Sequence, residues 1–261
     1  MQWRQRLIHL SRHRSLQPVW EFTHRSSLVS MNFWASLFRT SGEREALDVV
    51  FGRLNGRAPI LFDVGANIGD YTAMLLDRFG SSAKIFAFEP SLGAFGALSE
   101  KFDAVPSVTL SRLALSDASG DRTLHSDADG STIASLENLE SPIRPFDPDH
   151  FQTVACMRLD DYCAEHAIAR IDFLKVDVEG HELSVLRGAT RLLASRAIDV
   201  IQFEFGEPNI DSRTFMRDFV NLLQGYDFFR IVPGGPVPWT YAGGRSEIFA
   251  TINYLAVRRD A

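Results

Sequence analysis

The chain has 261 residues, 45% of them hydrophobic and 23% charged, enough to bury the core of one large α/β domain. Its net charge of −6 and sequence pI near 5.6 argue against capture of nucleic acid through its phosphates. No uninterrupted apolar run approaches the ~20 residues of a membrane span, and no signal-peptide core interrupts the arginines and histidines of the first twenty positions, so a cytoplasmic location is expected.

Residues 1–42 read as a basic aromatic arm. The first forty positions hold six arginines against the single acid Glu21, interleaved with Trp3, Trp20, Phe22, Phe33, Trp34 and Phe38. Two readings stand: a helical arm packed on the body, or a basic amphipathic stretch touching a membrane surface or an acidic partner, which would make the protein peripheral to the membrane. From residue 43 to 261 the pattern is that of one domain. "APILFDVGA" predicts a buried strand, since a continuous apolar run ending at glycine suits a parallel strand covered on both faces. A helix follows from Gly69 to Phe79, with Tyr71, Met74, Leu75 and Phe79 on one face and Gly80 as its stop. "KIFAFEP" is the second strand, Ser91 the cap of a helix whose inner face is Phe95, Leu98 and Phe102, and Ser107–Asp117 the third strand. This β–α–β–α–β order predicts a parallel sheet with right-handed crossovers.

Residues 118–150, rich in Ser, Asp, Gly and Pro, predict a short hairpin around Arg122–Ser126 and then a loop or lid at 127–150. A strand near Thr153–Leu159 and a short helix from Asp160 lead to the fourth main strand, "IDFLKVDVEG", and to a helix with Leu183, Leu186, Ala189 and Leu193 inward. "AIDVIQFEFGE" is the fifth strand; a helix from Asp211 with Phe215, Phe219, Leu222 and Leu223 on one face precedes "DFFRIVP" and "EIFATINYLAVRR". Cys156 and Cys163 have neither CxxC nor metal-cluster spacing and read as two reduced, partly buried thiols.

A strand that runs into a glycine turn and a helix places backbone N–H groups at the carboxyl edge of the sheet, where open α/β sheets bind ligands. The spacing Gly65-Ala66-Asn67-Ile68-Gly69 is G-x-N-x-G rather than the dinucleotide G-x-G-x-x-G, and no Lys or Arg occurs between Arg57 and Arg78. A pyrophosphate would find little positive charge there. Acids instead close nearly every strand: Asp63, Glu89, Asp117, Asp177 with Glu179, and Glu204. Glu89, at the end of the second strand, suits the two hydroxyls of a ribose. The ligand expected is a nucleoside without polyphosphate that carries positive charge, and S-adenosylmethionine meets that description.

Four segments, "DVGANIGDYT", "FEPS", "LALSD" and "LKVDVEGHELSVLRGA", together resemble the FkbM-type S-adenosylmethionine-dependent methyltransferases, over roughly Ile60 to Val232. The resemblance implies a Rossmann-like class I methyltransferase fold: a seven-stranded, mostly parallel sheet whose last strand is antiparallel. It also implies methyl transfer to a hydroxyl oxygen. Matching positions give Asp63, Gly65, Asn67 and Gly69 to the methionine end of the cofactor, Glu89 to its ribose, and Asp117 with Ser116 to the adenine side. A sugar, glycan or glycolipid hydroxyl is the first acceptor expected and a polyketide-type small molecule the second. A non-catalytic binding module and a nicotinamide oxidoreductase are the rival classes. The arm and the loop at 127–150 lie outside the motifs and are the segments expected to choose the acceptor.

An alcohol is a poor nucleophile while it keeps its proton, so a general base is needed. "VDVEGHE" supplies Asp177 or His181 as that base and Glu179 to orient the substrate or the cofactor's ammonium. Position 185 is Val, so His181-Glu182 does not begin an H-E-x-x-H zinc helix. Asp177, Glu179 and Glu204 are the oxygen ligands that Mg²⁺ would use, though no required metal is expected.

Overall fold

The computed structural model describes residues 11–35, 40–127, 134–139 and 150–260. Helices α1 (Gln17–Ser30) and α2 (Glu43–Arg53) precede an alternating run of β1 (Ile60–Val64), α3 (Asp70–Phe79), β2 (Lys84–Phe88), α4 (Leu92–Phe102) and β3 (Val108–Ser111). Strands β4 (Ala114–Ser116), β5 (Gly120–His125) and β6 (Phe151–Arg158) follow, then α5 (Leu159–Glu165), β7 (Ile171–Val176), α6 (Glu182–Arg187) and α7 (Thr190–Ala194). The chain ends with β8 (Ile198–Phe205), α8 (Pro208–Asp211), α9 (Met216–Leu222), β9 (Tyr226–Arg230), β10 (Val237–Trp239) and β11 (Ile252–Arg258).

The main sheet has the order β10-β9-β11-β8-β7-β1-β2-β3. Pairing is parallel from β3 through β8, while β11 runs antiparallel to both β8 and β9. This is the Rossmann-like class I fold expected, with the antiparallel last strand; the short β10 extends the edge to eight strands. Chain order reverses between β1 and β7, so their carboxyl ends flank the crevice where such sheets take ligands.

Alternation along the strands builds the two cores. Leu61, Phe173, Val200 and Leu255 face one side with Leu47 of α2 and Leu75 of α3. Phe62, Leu174, Ile201 and Phe203 face the other with Leu183, Leu186 and Phe219. A period of two sends neighbours to opposite faces, and helices cover both, which is why β1 and β7 read as nearly unbroken apolar runs.

Several local expectations are corrected. Residues 107–117 are two strands: β2 ends at Phe88, the Glu89 N–H closes the ladder on Ser111 O at 3.1 Å, and Ala114–Ser116 then pairs with β6 in a separate three-stranded sheet, β4-β6-β5. The segment Arg122–Ser126 is no local hairpin, because β5 pairs antiparallel with β6 across the intervening loop. Ser91 makes no side-chain cap; its N–H instead donates to Glu89. The helix expected from Asp211 is two short ones, and Phe215 between them is 37% exposed. Leu192 rather than Leu193 is the buried leucine of α7. Cys156 and Cys163 are buried and free, and among the described residues no helix is long and apolar enough to cross a membrane.

Gly65 joins the strands to the crevice. It has φ +79°, and a Cβ there would lie 1.8 Å from the Asp177 carbonyl oxygen. Gly65→Ala combines left-handed strain with overpacking and is expected to cost about 2–4 kcal/mol, read from the urea midpoint; an unchanged midpoint would refute that close contact.

Candidate functional site

The turn after β1 is held from below. The Gly65 and Ala66 N–H groups both donate to Phe88 O, at 3.0 and 2.9 Å, and Gly69 N–H closes on Ala66 O at 2.8 Å. Asn67 is left-handed (φ +50°); its N–H donates to Glu89 Oε2 at 2.9 Å, while Ser91 N–H donates to Oε1 at 2.8 Å. Burial raises the Glu89 pKa, and these two N–H donors pull against it. Each carboxylate oxygen keeps a lone pair for a ligand hydroxyl.

A cavity of about 630 Å³ opens over the ends of β1, β2, β7 and β8, within the ~300–1,000 Å³ typical of small-molecule sites. Of the residues expected from sequence, Gly65, Asn67, Glu89, Asp177, Glu179 and His181 line it. Asp63, Gly69, Ser116 and Asp117 do not. Asp63 is fully buried behind the turn, accepting from Thr72 Oγ1 at 2.6 Å. A Cβ on Gly69 would lie 2.5 Å from the Phe102 ring, so this glycine serves the packing of α3 on α4. Asp117 pairs with Arg122 at 3.0 Å. The wall on that side is formed by Leu113, Ala114 and Leu115 instead.

Lys175 was not singled out by the sequence, although a lysine inside the apolar run "IDFLKV" is the signal that marks it. Its Nζ lies 3.3 Å from Asp63 Oδ1 and 3.4 Å from Asp177 Oδ2, and donates to Gly65 O at 3.2 Å. Burial alone would lower its pKa, but Asp63, Asp177 and Glu43 together raise it. The ammonium therefore ties the ends of β1 and β7 together.

The loop after β7 is organised by Glu182. Its Oε1 accepts from Val178 N–H at 3.0 Å and Gly180 N–H at 3.1 Å. This holds Glu179 in a left-handed conformation (φ +51°). Burial pushes the Glu182 pKa up to about 7 against those N–H bonds.

His181 is buried with both ring nitrogens engaged: Nε2 is 2.9 Å from Ser116 Oγ and Nδ1 is 2.7 Å from Glu137 Oε1. Ser135 Oγ donates to Glu179 O at 2.7 Å. These bonds lay residues 134–139 along the cavity, where Leu136 and Leu139 join the lining; the rest of the expected lid, 128–133 and 140–149, lies outside the described residues.

Glu204, on β8, also lines the cavity. Burial first, then Asp177, Glu179, Glu182 and Glu43, raise its pKa well above the ordinary value. Asp177, Glu179 and Glu204 each bring an oxygen, all within 4.8 Å of one another. Such an oxygen-only set suits a hard divalent cation.

Two predictions follow from these buried charges. Lys175→Met should cost about 3–5 kcal/mol by stranding Asp63, and Lys175→Met with Asp63→Asn should recover much of it in urea unfolding; a double variant no more stable than the single would show that the pair is not the unit. Between pH 4.5 and about 7 folded Glu182 holds a proton that the unfolded chain has released. Its contribution to stability is full below that window and is lost as pH rises through it. Glu182→Gln should flatten the stability–pH curve there, and an unchanged slope would sink the assignment.

Residues 63–229 match the family model of the methyltransferase FkbM domain. The chain is 30% identical over 151 residues to the hexuronic acid methyltransferase AglP of Haloferax volcanii, covering 56% of each protein. It is 25% identical over 187 residues to the 2-O-methyltransferase NoeI of Sinorhizobium fredii, covering 68% of this chain and 76% of that protein. The chain thus spans little more than half the length of the first of these relatives. The crystal structure of methyltransferase FkbM from Methylobacillus flagellatus aligns at 16% identity with a TM-score of 0.46, over 78% of this chain and 45% of that one. With the family match extending from the end of β1 into β9, the chain belongs to the FkbM methyltransferase family.

Proposed function

We propose that this protein transfers the methyl group of S-adenosylmethionine to a hydroxyl of a sugar, in a glycan or glycolipid. One observation carries the reading: the left-handed turn at Gly65–Asn67, the Glu89 carboxylate and Asp177 all face one cavity at the point where chain order reverses. The names of two relatives, one a hexuronic acid methyltransferase and one a 2-O-methyltransferase, favour a sugar and an oxygen acceptor.

Bound S-adenosylmethionine would supply an electrophilic methyl group, whose carbon the acceptor oxygen would attack in line as the C–S bond breaks and S-adenosylhomocysteine leaves. Gly65 and Asn67 receive its amino-acid end, with Asp63 holding the turn from behind through Thr72 and Lys175. Glu89 accepts from the ribose hydroxyls with the lone pairs left free by Asn67 and Ser91. Leu113–Leu115 flank the adenine, and Ser116 with Asp117 support that wall, since the Arg158 guanidinium donates to Asp117 O at 2.7 Å.

The same cavity must hold the acceptor oxygen in near-attack geometry and exclude water. Both His181 nitrogens are occupied, so the hydroxyl proton falls to Asp177, while His181 positions Glu137 and the segment at 134–139. Glu179 orients the acceptor or the donor's ammonium. Mg²⁺ is not required in this reading; turnover abolished by EDTA would overturn that point.

The arm supports a peripheral membrane contact. Helix α1 leaves Val19, Trp20, Phe22 and Val29 exposed beside Arg12, Arg14 and Arg25, the pairing of apolar area and positive charge that anionic lipid surfaces attract. Binding to phosphatidylglycerol vesicles that weakens with salt is expected, and no vesicle binding at low salt would rule the contact out.

Asp177→Asn should lower kcat by about 100-fold or more with the dissociation constant for S-adenosylmethionine nearly unchanged by calorimetry. Near-wild-type turnover would remove Asp177 as the base. Absence of S-adenosylmethionine binding by the intact chain would undo the whole reading.

A further inference from the structure

The seat for the amino-acid end of the donor has few N–H groups left to offer. Gly65 and Ala66 N–H both bond Phe88 O, Asn67 N–H bonds Glu89, and Ile68 N–H donates to Asn67 Oδ1 at 2.7 Å. Recognition at this turn therefore falls to acceptors, and the part of S-adenosylmethionine that needs them is its ammonium, which has three donors and no lone pair. Gly65 O already accepts from Lys175 at 3.2 Å.

One buried carboxyl beside the seat is used by no step of the reaction. Glu43, the first residue of α2, lines the cavity and is 6% exposed. Ser41 Oγ donates to its Oε1 at 2.8 Å and Gln202 Nε2 to its Oε2 at 2.7 Å. Both donors are neutral, and each oxygen keeps a further lone pair. Asp63 and Asp177, by contrast, share the Lys175 ammonium. Burial raises the Glu43 pKa and Asp177 adds to it, while the Ser41 bond, the Lys175 charge and the Gln202 bond oppose the rise. A cation seated against this carboxyl would favour its ionised form.

The carboxyl is aimed by bonds from several elements. Gly42, at φ +93°, brings the start of α2 so close to the body that a Cβ would lie 2.0 Å from Val232 O. Asn32 Nδ2 donates to Ser41 O at 2.7 Å and to Ile231 O at 3.0 Å. Tyr71 OH donates to Gln202 Oε1 at 2.8 Å, which turns the amide nitrogen toward Glu43. Tyr71 belongs to α3, the helix that leaves the turn, and Gln202 is the register partner of Lys175. Glu43 is thus linked to the turn side of the cavity, whereas Glu179 is tied to residues 134–139 through the Ser135 bond to its carbonyl oxygen.

We propose that Glu43 binds the ammonium of S-adenosylmethionine, with Ser41 and Gln202 holding its carboxyl in place, so that the donor site includes the junction between the arm and α2. This rests on the S-adenosylmethionine reading and deepens it, leaving Glu179 to orient the acceptor. Hydrogen bonds between charged partners are stronger than neutral ones, and more so where bulk water is excluded. Fixing the ammonium also fixes the amino-acid chain that ends at the sulfonium, which serves the in-line geometry of transfer.

The test crosses ligands with variants by calorimetry on the full chain. The ligands are S-adenosylhomocysteine, its analogue without the amino group, 5′-S-(3-carboxypropyl)-5′-thioadenosine, and 5′-methylthioadenosine, which lacks the whole amino-acid end. The native chain should prefer S-adenosylhomocysteine over the deaminated analogue about 10- to 100-fold. Glu43→Gln should abolish most of that preference while binding the two ligands without an ammonium no more weakly than the native chain does. Glu43→Asp, with its fold checked by a urea transition, withdraws the charge by one methylene and should keep part of the preference. A native chain that does not distinguish the amino group would overturn the proposal, as would a preference undiminished in either variant. Equal loss of all three ligands in Glu43→Gln would overturn it too, because Glu43 would then only shape the cavity. Failure of the native chain to bind any of the three would instead undo the S-adenosylmethionine reading on which it rests.

Discussion

Lys175 is a charged group next to the carboxyl end of a strand whose six residues are all buried. A buried ammonium is tolerated only where opposite charge and hydrogen bonds replace its lost water. Asp63 from β1, Asp177 just after β7 and the carbonyl of Gly65 provide them. Meeting that requirement brings two strand ends and the first turn to a common centre. The space left above it is the cavity. Gly65 follows from the same constraint, since a chain drawn this close to Asp177 leaves no room for a Cβ.

Around that centre the walls are held by polar groups that are themselves buried and bonded. Glu182 closes the loop after β7, Glu89 bridges the turn of β1 to the start of α4, and Gln202 links Tyr71 to Glu43 at 2.8 and 2.7 Å. Asn67 reaches Glu89, and Tyr71 and Glu43 reach Gln202, from other elements, so these walls depend on tertiary contacts for their shape. Glu204 has its pKa raised by burial first and then by its carboxyl neighbours Asp177, Glu179, Glu182 and Glu43.

Elements outside the alternating strands and helices supply much of the remaining wall. The arm brings Trp34, and the second sheet brings Leu115 and, through Ser135 and Glu137, the segment that crosses His181. Family membership concerns the sheet and its loops, whereas these accessory contacts are where an acceptor would be distinguished. The general physical basis for such a division is that connecting segments can vary without disturbing the pairing of the strands they join.

The amino-acid sequence alone determined the parallel strands, the G-x-N-x-G turn, Glu89 and Asp177, because these express themselves in local runs: apolar residues ending in glycine or acid. It offered His181 or Asp177 as the base, and only the folded chain shows that both imidazole nitrogens of His181 engage Ser116 and Glu137, partners far away in the chain. Ser116 and Asp117 were expected on the adenine side of the ligand and do not line the cavity, since β4 leaves the main sheet to pair with β6. Phe215 kept its helical spacing on paper and lost its burial when the helix broke before Met216. Lys175, Trp34 and the crowding at Glu204 needed the folded chain, because charge balance and cavity lining are sums over residues that only the sheet brings together.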